Sequence, residues 1–492
     1  MRAPSFPKPS DFKPGPASGR DSILSADEAR LVLPARVSGI VEAPVSKSSQ
    51  QRAIACATLA RGKSLIRGRT LSADSAAALS VATALGARAR AKDFGWEIEG
   101  SPLFQDLDRP GNRASAPHAG DLDPALVMDC GESGLCMRMF APIAALLDRE
   151  SELRATGSLK RRPMDMVVEA LESMGVSASS CDGLPPLRIR GPITGGEYRI
   201  DAGGSSQFLT GLLIALPLAQ KDSILLVDNP VSLGYLDLTV DTCSSFGVRI
   251  DTVFPGREYK IPGGQEYRAR DFSPERDWSG AAFFVAAAAT AQTVPGSASG
   301  IRIHGLDPSS SQPDRAILEA VRRSGALAEW ASDGSLLVRR GDAKPFSFDA
   351  SGCPDLFPPL AALAAYCPGT SILGGTRRLA SKESDRASTL IKLLGDFGVK
   401  ARVEGDRMEI FGTVPPAVPG DLKDVGNTAG EAGKNPKPVR TESAGDHRIA
   451  MAAAILALNS YAGAEIHGWG CVSKSWPSFF EDLERIRMPR GS

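Results

Sequence analysis

The sequence predicts an α/β fold of two domains, each made of three repeated units packed around a buried helical centre with sheets outside. Three observations predict it. A chain of 492 residues exceeds what one hydrophobic core ordinarily organises. One signature, an amphipathic helix closed by Gly and followed by a strand, keeps returning along the chain. A second kind of helix, small and apolar on every side, recurs in step with it, and a helix of that kind has to be buried.

Taken in order, the first 34 residues are rich in Pro and polar residues and read as a loose arm. Asp11, Asp21 and Glu28 count against an organelle presequence there. The first unit joins the apolar "RAIACATLA" to "VATALGARAR", with Gly86 closing the amphipathic helix. The second joins "MRMFAPIAALL" to "ALESMGVSAS" at Gly175, and the third "QFLTGLLIALPLA" to "CSSFGVRI" at Gly247. The fourth and fifth pair "GAAFFVAAAATA" with Gly325 and "LFPPLAALAAY" with Gly398. The sixth, "RIAMAAAILAL" and then "FFEDLERIRM", is expected to be cut short by the chain end. A Gly directly after a helix takes the left-handed conformation that ends it. A spacing of about 70 to 90 residues indicates repeated supersecondary units, not a solenoid of short repeats. Segments 101–124 and 414–441 read as mobile insertions.

Composition narrows the function. Hydrophobic content of 42% and charged content of 23% are those of a soluble globular protein. Lys+Arg and Asp+Glu both number 57, so no global field favours nucleic acid or a membrane surface. Eight cysteines without a CxxC pair read as reduced thiols, and a cytoplasmic location is expected. The longest apolar runs fall short of the roughly 18 residues that span a bilayer.

The entrances to the buried helices carry the chemistry. They read "SKSSQQR", "CGESGLCMR", "GGSSQ", "PERDWSG", "SGCPD" and "AGDHR". The first N–H groups of a buried helix need partners, and Ser or Asp caps supply them. Lys and Arg at the same tips suggest more than capping. A helix N-terminus favours an anion by roughly 0.3 to 1 kcal/mol. A cation about 4 Å away adds on the order of 4 kcal/mol at an effective dielectric near 20, before desolvation offsets much of it. Several such tips converging on one cleft would favour a polyanionic ligand.

Nine stretches, in this order, carry a family resemblance: "SKSSQQRA", "CGESGLCMR", "KRRPMD", "GGSSQFLTGLL", "PVSLGYLDLT", "CPDLFPPLAALA", "SKESDR", "GDHRIAMA" and "SKSWP". Over residues 36 to 485 the chain resembles the enolpyruvyl transferases that make 5-enolpyruvylshikimate 3-phosphate, the EPSP synthases. The resemblance implies an inside-out α/β barrel of two domains, each with three βαββαβ units. It places a shikimate-phosphate domain at 45–275 and a second domain at 35–44 plus 276–492. It implies transfer of the enolpyruvyl group of phosphoenolpyruvate to the 5-hydroxyl of shikimate 3-phosphate, with no metal, no cofactor and a monomeric enzyme.

The resemblance also implies residue roles. Lys47, Gly134, Arg162, Gln207, Arg386, Arg448 and Lys474 match positions that hold phosphoenolpyruvate. Arginine's planar fork suits carboxylate and phosphate. Ser205, Ser206, Gln207, Ser232 and Lys382 match the cradle of the acceptor phosphate, and Lys47, Ser48, Arg52 and Arg378 match positions around the acceptor, with Tyr235 near its ring. Asp355 and Glu383 match the carboxylates that move protons, Asp355 also touching the acceptor; Lys47 is a second candidate for protonating carbon. His447 is expected to hydrogen-bond beside Arg448, and Cys130 and Cys136 to pack in the core. Glu132 and Leu135 depart from the family, where Asn and Thr are common. Two rivals remain at this point: UDP-N-acetylglucosamine enolpyruvyltransferase, and a non-catalytic anion-binding protein. The first usually carries a Cys just before its counterpart of Arg162, which "TGSLKRRPM" lacks; the presence of both Asp355 and Glu383 counts against the second.

Overall fold

Each repeat alternates a helix that must be buried with one that can face water. In the computed structural model, which describes residues 29–105, 107, 125–292, 300–380, 382–416 and 437–488, the two kinds alternate through all six units. The buried helices are α1 (Lys47–Leu59), α3 (Gly134–Ala144), α5 (Gln207–Ala215), α7 (Trp278–Thr290), α9 (Phe357–Ala365) and α11 (His447–Leu458). The outer ones are α2 (Ala73–Ala84), α4 (Asp165–Ser173), α6 (Leu233–Ser245), α8 (Ile317–Arg323), α10 (Arg386–Asp396) and α12 (Phe479–Ile486). Every residue of α3, α7, α9 and α11 is buried. The closing glycines Gly86, Gly175, Gly247, Gly325 and Gly398 all have left-handed φ, from +76° to +92°.

Outside the helices lie five four-stranded sheets and one three-stranded sheet among the described residues. Each larger sheet sets two parallel strands beside an antiparallel pair. In the second unit, Leu126–Asp129 and Ser151–Arg154 run parallel, and Leu184–Arg190 and Ser177–Cys181 complete the sheet.

The sixth unit departs from expectation. It is not simply cut short: Arg30–Val32 pairs antiparallel with Ala464–His467, the place taken elsewhere by a hairpin strand. Val32 is fully buried. Structure therefore begins inside the segment expected to be a loose arm, of which residues 1–28 lie outside the described residues. The expected insertion 414–441 also ends early, because Val439–Glu442 is a strand parallel to Ala464–His467; residues 417–436 lie outside the described residues. Of 101–124, Pro102–Phe104 forms a single 3-10 turn with Phe104 buried, while 106 and 108–124 lie outside the described residues.

Two separate cores form. One gathers apolar residues from Ala53 to Tyr267; the other joins Val32–Ala43 to residues from Trp278 to Ile486. The chain passes between them twice, side by side. Ser46 N–H donates to Glu275 O at 2.8 Å and Asp277 N–H to Pro44 O at 2.9 Å. Strands are exchanged at this crossing. Gly39–Glu42, just before α1, joins the second core's sheet beside Ile301–His304, and Asp271–Phe272, just before α7, joins Lys63–Arg67 in the first. The starts of α1, α3 and α5 and the turn before α9 line one cleft between the cores.

Candidate active site

The cleft is built from helix starts. Lys47 opens α1, after Ser46, whose side chain caps Ser49 N–H. Gly134 opens α3 behind the cap Ser133, and Gln207 opens α5 after Ser205 and Ser206. Asp355 sits in the 3-10 turn leading into α9, Arg386 opens α10, and Arg448 is the second residue of α11. From the first core, Lys47, Ser48, Arg52 and Ser205, Ser206, Gln207 line a narrow cavity of about 80 Å³ together with Gly134, Arg162, Ser232 and Tyr235. Asp355, Arg378, Lys382 and Glu383 line it from the second. Lys474 lines an adjoining cavity of about 680 Å³, and Asp74 borders both. Arg386 and Arg448 do not line either; they stand behind the carboxylates.

Those carboxylates hold the cations. Asp355 accepts from Arg386 Nη1 at 2.7 Å, Arg448 Nη2 at 3.1 Å and Lys382 Nζ at 3.5 Å. Glu383 accepts from Arg386 Nη2 at 2.6 Å, and Asp446 accepts from Arg386 Nε at 2.7 Å. Burial pushes the Asp355 carboxyl up, but Arg448, Lys382, Arg386 and Lys47 outweigh it and hold the group well below the carboxylate range. Glu383 is likewise pushed up by burial but held well below by Arg386, Arg162, His447 and Lys47. Both are ionised. Burial, and Arg386 nearby, lower the Lys382 ammonium to about 8.

No side chain caps the start of α9; the Asp355 carboxylate beside it turns to Arg386 and Arg448. The hydrogen-bonding role expected of His447 does not hold, since neither ring nitrogen has a partner among the described residues. Burial, Lys47 and Arg448 keep that imidazole neutral. Cys130 and Cys136 are buried. Glu132 is not a bare charge beside the donor loop: its Oε2 accepts from Ser158 N–H at 2.7 Å, Ser158 Oγ at 2.8 Å and Lys474 Nζ at 3.0 Å.

The sequence reading passed over several groups. Arg138, inside "CGESGLCMR", donates to Gln207 Oε1 at 3.2 Å, and burial beside Arg162 lowers it to about 9. Both guanidiniums crowd Gly134, where a Cβ would fall 2.3 Å from Arg162 Nη1 and 2.9 Å from Arg138 Nη1. Arg138 and Arg162 each keep a buried Nε without a partner among the described residues. Two guanidiniums packed against one bare backbone position form a seat for an anion. Asp74 takes Lys47 Nζ at 3.0 Å, and Asp314 takes the Tyr235 hydroxyl at 3.0 Å. An Arg inside an apolar helix was the readable signal for Arg138; nothing local marked Asp314.

Contacts that cross between the cores at this cleft include Lys474 to Glu132, Arg378 Nη1 to Ser232 Oγ at 3.0 Å, and Tyr235 to both Asp314 and Ser279. With that geometry established, relatives are informative. The family model for EPSP synthase (3-phosphoshikimate 1-carboxyvinyltransferase) matches residues 32–483. The chain belongs to the EPSP synthase family. Within it, the chain is 34% identical to the 3-phosphoshikimate 1-carboxyvinyltransferase of Aeropyrum pernix, over 94% of this chain and 96% of that one. The Methanocorpusculum labreanum protein of the same name is 32% identical, over 93% and 98%. The EPSP synthase structure from Acinetobacter baumannii superposes with a TM-score of 0.69 at 23% identity, covering 94% of this chain and 98% of that one. The enolpyruvyl transferase NikO from Streptomyces tendae gives a TM-score of 0.66 at 16% identity, over 93% and 96%. These two likenesses speak to fold: the two-domain inside-out α/β architecture of the EPSP synthase family. Among the described residues no helix is long and apolar enough to cross a membrane.

Proposed function

We propose that the chain transfers the enolpyruvyl group of phosphoenolpyruvate to the 5-hydroxyl of shikimate 3-phosphate, releasing phosphate. The observation that carries this is one cleft lined from both cores by the family's motif positions, with two ionised carboxylates inside a ring of cations. Ser205, Ser206, Gln207, Ser232 and Lys382 cradle the acceptor phosphate, while Ser48, Arg52 and Arg378 hold the acceptor's carboxylate end. Arg162, Arg386, Arg448 and Lys474 grip phosphoenolpyruvate, whose phosphate lies against the Gly134 backbone.

Asp355, ionised and central, accepts the proton of the 5-hydroxyl as that oxygen attacks C2 of phosphoenolpyruvate. A proton is added to C3, giving a tetrahedral adduct. Loss of a C3 proton and of phosphate then forms the enol ether. Lys47, which lines the cavity together with Glu383, is placed to deliver the proton added to C3. Glu383, ionised here, can serve only after substrate anions have drawn Arg386 and Arg162 away from it and raised its affinity for protons. The two lobes act as domains that close on the substrates. Phosphate release from phosphoenolpyruvate, measured with and without shikimate 3-phosphate, tests the reading. Strict dependence on shikimate 3-phosphate is expected; release driven by UDP-N-acetylglucosamine instead, or none at all, would overturn it.

A further inference from the structure

We propose that Asp314 is a positioning residue of the cleft: its carboxyl holds the Tyr235 phenol across the boundary between the two cores, and closing the cleft over it takes up a proton. The inference rests on the function proposed above only in its choice of ligand.

Asp314 lies in the 3-10 turn Pro313–Ala316 before α8, in the second core's half, and is fully buried. Its cover comes from the other half. Tyr235, in the first turn of α6, donates its hydroxyl to Asp314 Oδ2 at 3.0 Å and lies 3.3 Å from Ser279 Oγ, which itself donates to the same carboxylate oxygen. The two elements meet without a spacer, for a Cβ on Gly234 would fall 2.2 Å from Ser311 O. Asp314 Oδ1 is buried with no hydrogen-bond partner among the described residues, so nothing at that oxygen rewards ionisation. Tyr235 in turn lines the cavity, and its ring stands 5.7 Å from the guanidinium of Arg52, which also donates to the Tyr235 backbone carbonyl at 3.2 Å. Asp314 thus reaches the acceptor site through Tyr235 and Arg52.

The charged groups around Asp314 oppose each other. Asp355, before α9, and Asp277, before α7, disfavour its charge; Arg448 on α11 and the Tyr235 hydroxyl on α6 favour it. Burial is the largest influence, and the carboxyl is pushed up to about 7. In an open cleft, wetted, it would titrate near the ordinary value of about 3.9. A group whose affinity for protons rises on closure favours the closed form most where it is protonated in both. That preference weakens as pH rises from about 4 to about 7 and is level above. The chemistry proposed for the cleft works with Asp355 ionised; Asp314 is a separate group that reports closure.

The test compares wild type, Asp314→Asn and Tyr235→Phe for binding of shikimate 3-phosphate by calorimetry between pH 5 and 8.5. Two buffers of different ionisation enthalpy count the protons taken up. The ligand's own phosphate titrates near about 6, so the readout is each variant's affinity relative to wild type. Wild type should take up close to one proton near pH 6 that Asp314→Asn does not. The affinity ratio of Asn variant to wild type should climb by up to about tenfold per pH unit, the slope of one proton, until it levels near neutrality. Tyr235→Phe should keep the proton uptake but raise the KM for shikimate 3-phosphate several-fold with a smaller change in kcat. Equal proton uptake and a flat ratio for Asp314→Asn would overturn the switch; an unchanged KM for Tyr235→Phe would overturn the positioning. If wild type neither binds nor turns over shikimate 3-phosphate, the proposed function fails instead. Small-angle scattering of the ligand-free proteins then decides: wild type should expand as pH rises from about 5 to about 7 and Asp314→Asn should not, equal behaviour overturning the proposal.

Discussion

Asp355 sits where three cations meet, and its position explains how the cleft tolerates them. Arg386 and Arg448 are almost wholly buried, and a buried guanidinium without a counter-charge costs several kcal/mol. Asp355, Glu383 and Asp446 supply that counter-charge until substrate anions arrive. Asp355→Ala should therefore lower kcat by at least about 10²-fold, the low end for general acid–base catalysis, while leaving the cations free to hold anions. Steady-state kinetics with substrate titrations would check it; near-wild-type turnover would remove Asp355 from proton transfer. Much at this scale was legible. Lys47 and Gln207 open buried helices directly after polar entrances, so their place at tips that line the cavity followed from the string, whereas Arg386, which opens an outer helix, was reached only through the resemblance. Arg138 was not assigned, because its partner Gln207 lies on another unit and side-chain direction at a helix start cannot be read from spacing. Asp314 was less visible still: "SQPDR" reads as a turn, and its meaning depends on a tyrosine from the other core.

At the scale of elements, the same few residues cap a helix and face the cleft. Ser205 accepts from Gln207 N–H at 3.2 Å while lining the cavity. α6 shows how closely one lobe's element can lie against the other. In isolation, replacing a helical Gly by Ala gains roughly 1 kcal/mol of helix propensity. At Gly234 the added methyl would meet the Ser311 carbonyl oxygen at 2.2 Å, with Pro313 Cγ at 3.1 Å. Backbone cannot swing away as a side chain can, so the clash should win. Gly234→Ala is expected to push α6 off residues 311–313 and raise the KM for shikimate 3-phosphate several-fold, with each core intact and the melting temperature little changed. An unchanged KM would show that the lobes have slack there. The helices and their closing glycines were readable because each signal is local. The strands Arg30–Val32 and Val439–Glu442 were not: they are too short to show alternation, and they are ordered by pairing with Ala464–His467, a partner no local pattern names.

For the whole molecule, the decisive feature is that two independent cores are joined by two adjacent backbone crossings and by a few contacts over the cleft. Residues 45 and 276 lie between the two cores, so a hinge there would leave the cleft contacts to set how open the ligand-free protein is. Lys474 to Glu132 is the ionic one, with side chains 9% and 32% exposed. A partly exposed pair of this kind is worth about 1 kcal/mol at most. That is negligible against the stability of a core, yet it shifts an equilibrium between open and closed lobes by about fivefold. Glu132→Gln removes the charge while leaving a side chain that Ser158 can still hold. The ligand-free variant should scatter with a larger radius of gyration than wild type, the difference shrinking in about 1 M salt, where wild type loses the same attraction. Saturating shikimate 3-phosphate should bring both to the same compact radius, because Arg378 and Ser232 then close on a ligand instead of on each other. Matching radii for the two ligand-free proteins at low salt would mean that the ion pair does not hold the lobes together, and that closure is set by the contacts of Tyr235 with Asp314 and of Ser232 with Arg378.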